Sequence, residues 1–140
     1  MNLILGWEKS FMLSIDHLVL TVSDTQKTVA FYTNILGMSL EEFIPPGATK
    51  ARLALSFGTQ KINLHPVSQP YKPHAEKPVC GSADICFISD KSIHSWIETF
   101  KKNSVIVEEG PVQRTGACGS ITSLYLRDPD GNLIEIANQN

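Results

Sequence analysis

Several things are scarce in this sequence, and each scarcity excludes something. Cysteine occurs three times, at Cys80, Cys86 and Cys118. An odd count without metal-finger spacing argues against a disulfide framework or a zinc finger and suggests a reducing, cytoplasmic setting. Basic clusters are absent apart from Lys101-Lys102, and the net charge is −2. Neither provides an electrostatic platform for nucleic acid or an anionic membrane. The only apolar N-terminal run, "MNLILGW", is too short to span a bilayer and lacks a small-residue cleavage site. Residues 1–13 read as a peripheral extension, with the patterned sequence starting near Ser14.

What is present is a repeat of element types. "IDHLVLTV" (Ile15–Val22) is β-branched and aliphatic, a strand. "SDTQKTVAFYTNILG" predicts a helix, with Ser23 and Gln26 as a capping box and Gly37 ending it. Strands are predicted at 38–44, 51–57 and 61–65. The Pro-rich segment 66–82 reads as a linker. The order then starts again. A strand is predicted at 83–89, and a helix follows with Ile93, Trp96, Ile97 and Phe100 on one stripe. Strands are predicted at about 104–108, 121–127 and 132–137. The two halves are β-α-β-β-β modules, about 14–65 and 83–138, offset by roughly 67 residues. The fold class is α+β, two βαβββ modules in one domain (14–138). Such modules each leave one sheet face open, and two open faces can form a cleft.

Strand parity selects the residues on those faces. His17 opposes the aliphatic set Leu18, Leu20 and Val22. Asp84 is its counterpart in the second module. Lys61, Asn63 and His65 share a face, as do Leu133, Glu135 and Ala137. Two imidazoles and two carboxylates of ligand type are therefore expected on open faces, a set suited to a divalent metal. A carboxylate in so apolar a strand as "LIEIA" needs a partner if it is buried. His74, in the linker, and His94, off the helix stripe, read as structural. "DPDG" (Asp128–Gly131) reads as a turn, with Asp128 bonding back to the backbone. "GPVQRTGACGS" (110–120) reads as a surface loop or a lid, with Arg114 available to a substrate anion and Tyr125 lining the cleft.

The stretches "IDHLVLTVSD…FYTNILGM" and "LYLRDPDGNLIEIAN" resemble the vicinal oxygen chelate (VOC) superfamily. This group holds glyoxalase I, fosfomycin- and bleomycin-resistance proteins and extradiol dioxygenases. "KINLH", "DICFIS" and the segment from Gly110 to Asn132 are most similar to the glyoxalase domain-containing protein 5 group and its bacterial relatives. The resemblance implies one divalent ion (Zn, Ni, Co, Mn or Fe) on His17 and Glu135. It departs from the family at two places: Asn63 stands where Glu or Gln is usual, and Asp84 where His is usual. His65, one of the same face, restores a His-His-Glu set and is the preferred third ligand. Asp84 is then a fourth ligand, an acceptor for an imidazole N–H, or a general base. The implied reaction is a glyoxalase-type lyase or isomerase step through a metal-stabilised enediolate, with Glu135 or Asp84 moving the proton. Extradiol cleavage of a biphenyl-diol type substrate and metal-free small-molecule binding are the alternatives. The resemblance also implies a small-molecule substrate and a homodimer.

Overall fold

The computed structural model describes residues 12–140; the expected N-terminal extension lies almost wholly outside the described residues. Its strands are β1 (His17–Val22), β2 (Ser39–Phe43), β3 (Arg52–Phe57), β4 (Gln60–Pro66), β5 (Asp84–Ile88), β6 (Glu109–Gly116), β7 (Gly119–Arg127) and β8 (Leu133–Gln139). Helix α1 (Thr25–Ala30) runs on into a π-helical turn, Phe31–Ile35, and α2 spans Ile93–Lys102. The strands form two four-stranded sheets of the same topology, β1-β4-β3-β2 and β5-β8-β7-β6. In each, the module's first and last strands pair in parallel and the rest pair antiparallel. Two βαβββ modules are thus present.

Three local expectations are corrected. Asp24, not Ser23, caps α1, accepting the Lys27 N–H at 3.0 Å. Ser23 instead binds the Asp130 carboxylate through both its backbone N–H and its hydroxyl, tying the first module to the second. The strand expected at 104–108 lies further on: Val105–Glu108 is outside the ladder, and β6 begins at Glu109. The expected loop or lid 110–120 is therefore mostly strand, a β6–β7 hairpin turning at Ala117-Cys118 between the paired Gly116 and Gly119. A hairpin with two residues at its tip is held by its own ladder.

The core follows strand parity. Leu20, Val22, Ile62, Leu64, Ile134 and Ile136 are buried with Tyr32, Trp96 and Phe100, so the helix-side faces of both sheets enter one cluster. Phe57 and Phe87 meet edge-on across the modules at 5.2 Å. The opposite faces are not packed together within the chain. His17, Val19, Asp84, Cys86 and Ile88 are exposed. Having spent its apolar faces on a shared core, a single chain leaves both ligand-bearing faces outward.

Candidate metal centre

The pairing registers give the two sheets matching sites. In the first sheet His17 is opposite Lys61 and Val19 opposite Asn63. In the second, Asp84 is opposite Leu133 and Cys86 opposite Glu135. His17 corresponds to Asp84 and Asn63 to Glu135, each pair set diagonally on an open face. His65 corresponds to Ala137. It lies opposite Thr21, four residues along from the partner of His17, or roughly 13 Å up the strand. By register His17 stands nearer Asn63 than His65.

The donors are oriented. His17 places Nδ1 2.7 Å from the Asp16 carboxylate, which leaves Nε2 free to coordinate. Such a carboxylate–histidine pair fixes the orientation of the ring. The Asn63 Oδ1 is buried and has no hydrogen-bond partner. An orphaned buried carbonyl oxygen is costly unless something arrives to use it. Glu135, half-buried, accepts the Ser123 hydroxyl at 2.5 Å. Its charge shows in its neighbours: the Cys86 thiol is pushed up to about 11, first by desolvation, then by Glu135, with Asp84 adding to it. Tyr125 is raised too, by desolvation first, with Glu135 contributing.

An imidazole nitrogen, an amide oxygen and two carboxylates suit a divalent cation, so the residues fit one. They do not converge within one chain. Among the described residues, no group of three or more His, Cys, Asp or Glu side chains is placed to hold a metal. Each face instead lines its own depression. One, of about 440 Å³, holds Cys86, Glu135, Arg114 and Tyr125. The other, of about 430 Å³, holds Val19, Thr21, His65 and His74.

Arg114 sits in β6 and is already engaged. Its Nη2 is 3.1 Å from Glu109 and its Nε donates to the Tyr125 hydroxyl at 3.0 Å. His94 is exposed on α2. His74, expected to be structural, lies beside His65. No spacing rule joins a linker histidine to a strand, so only the linker's path could reveal that neighbour.

The glyoxalase/bleomycin resistance protein/dioxygenase superfamily matches residues 14–136. The chain belongs to that superfamily. Virulence protein STM3117 of Salmonella typhimurium is 50% identical over 123 residues, 88% of this chain and 82% of that protein. Its crystal structure superposes with a TM-score of 0.85 at 46% identity, covering 94% of this chain and all of the other. The glyoxalase domain-containing protein RDO1 of Mycosarcoma maydis is 47% identical over 125 residues, 89% of this chain and 68% of that protein. A lactoylglutathione lyase of Salmonella typhimurium is 31% identical over 124 residues, 86% of this chain and 88% of that protein. The superfamily thus includes proteins named for lyase chemistry, while the more similar relatives carry names that specify no reaction.

Proposed function

We propose that this protein is a divalent-metal-dependent enzyme of glyoxalase type, acting as a lyase or isomerase on a small oxygenated metabolite. The metal site is completed when the His17–Asn63 face of one chain meets the Asp84–Glu135 face of a second copy. The observation that carries the reading is the equivalence of these two diagonal pairs in register, both on outward faces. A second chain related by two-fold symmetry would make two such sites at once. The exposed apolar side chains Val19 and Ile88, beside the ligand positions, give that contact an apolar component.

When bound, the metal supplies a Lewis acid that polarises substrate oxygens. The chain supplies the proton transfer. Glu135, with one oxygen held by Ser123, or Asp84, two residues before Cys86 on the same face, would take a proton from one carbon and return it to its neighbour. Holding the carboxylate in one rotamer matters because proton transfer needs hydrogen-bond reach to the reacting carbon. Asp84 occupies the place where a dioxygenase of the superfamily is expected to have a second histidine, which favours proton transfer over ring cleavage.

The test is metal content by mass spectrometry on protein free of a histidine tag, with His17→Ala and Glu135→Ala alongside. About one divalent ion per chain, lost in both variants, is expected. Wild-type protein that takes up no ion after reconstitution would sink the metal reading and leave a binding module.

A further inference from the structure

The depression beside the metal-ligand face of the first sheet has its own chemistry. Its floor is β1 and β4, through Val19, Thr21 and His65, and its wall is the linker, through Pro73, His74 and Pro78. His65 is 7% exposed, and its Nδ1 is buried without a hydrogen-bond partner. Tyr71, also from the linker, meets the His65 ring edge-on, with centroids 5.1 Å apart. The Arg52 guanidinium lies over the same Tyr71 ring, 4.1 Å from its centroid. Among the described residues Arg52 has no ion-pair partner, whereas Arg114 and Arg127 are each matched to a glutamate.

We propose that Arg52, His65 and His74 form an oxyanion-binding subsite, which receives a carboxylate or phosphate group of the substrate while its oxygens engage the metal-ligand face. This rests on the enzyme reading above and names the substrate class: small metabolites with an anionic end. Guanidinium supplies a planar fork of N–H donors that matches either oxyanion. Stacking on Tyr71 holds that fork in place while leaving its edge free. The permanent charge of the guanidinium opposes a metal ion at this place and attracts an anion, to which an N–H of either imidazole can donate. The distance fits a small molecule, because His65 is two residues beyond Asn63 on one strand face, about 6.5–7 Å.

The experiment is a titration of metal-stripped, tag-free protein with malonate and, separately, with inorganic phosphate. Binding is read from the imidazole Cε1–H resonances of His65 and His74 by NMR. Saturable shifts of both rings are expected with at least one anion. Arg52→Met, which keeps a long unbranched side chain but removes the charge, should weaken binding at least tenfold, and Arg52→Lys should fall between. Saturation by malonate alone identifies a carboxylate and by phosphate alone a phosphoryl group; either supports the subsite. Shifts that do not saturate with either anion, or that are equal in folded Arg52→Met, overturn it. Because no metal is present, failure here leaves the metal reading intact, and loss of metal binding elsewhere leaves this one intact.

Discussion

Glu135 sits in a strand whose neighbours Ile134, Ile136 and Ala137 are buried, and it is tolerated there for two reasons. The pleat turns it to the open face, and Ser123, opposite Ala137 on β7, donates to it. Its charge also adds to the burial that raises the Cys86 thiol. With that thiol at about 11, only a small fraction is thiolate at neutral pH, so Cys86 should alkylate slowly. Glu135→Gln removes the charge, lowers the thiol's pKa and should speed iodoacetamide modification of Cys86 several-fold at pH 8. Site-resolved mass spectrometry checks this, and an unchanged rate would mean that desolvation alone sets the thiol. The face of Glu135 is legible from strand parity alone. Its partner was not legible, because Ser123 is chosen by the β7–β8 register. For the same reason parity alone does not choose between His65 and Asn63: both lie on one face, and only the pairing with β1 says which stands nearer His17.

At the scale of elements, the turn before β8 does more than reverse the chain. Asp128 is buried and accepts the Tyr32 hydroxyl at 2.8 Å, the backbone N–H groups of Asp130 and Asn132, and the Asn132 side-chain amide. Asn132 in turn accepts the Ala83 N–H at the entry to β5. Tyr32 comes from the π-helical turn of the first module, so this one carboxylate ties that turn to the entry of both strands of the second module's parallel pair. Tyr32→Phe leaves Asp128 three of its four donors. It should cost about 1–2 kcal/mol and lower the melting midpoint by a few degrees, without loss of the fold. Thermal and urea unfolding measure it; an unchanged midpoint would mean the bond is neutral. "DPDG" was readable as a turn from Pro129 and Gly131, but not as a junction, since Tyr32 is 96 residues away. The β6–β7 hairpin was missed for a related reason. Three glycines within 110–120 signal a loop, whereas cross-strand pairing with β7 overrides that local preference.

At the scale of the whole molecule, the order of elements carried the fold. Two βαβββ modules could be read because the apolar period switches from two to 3.6 at the same places in each half. Where the open faces point could not be read, since that depends on how the helix-side faces share a core. With both faces outward, the account requires a second chain. The most direct measurement uses a heterodimer of His17→Ala with Glu135→Ala, the two chains carrying different removable affinity tags other than polyhistidine. Each homodimer lacks a ligand at both of its sites. In the heterodimer, one site pairs the intact first module of the Glu135→Ala chain with the intact second module of the His17→Ala chain. After tag removal and metal reconstitution, the account predicts about one tightly bound ion per heterodimer and essentially none in either homodimer. A heterodimer as empty as its parents, beside wild-type protein that binds a full complement, would contradict it and place the site within a single chain.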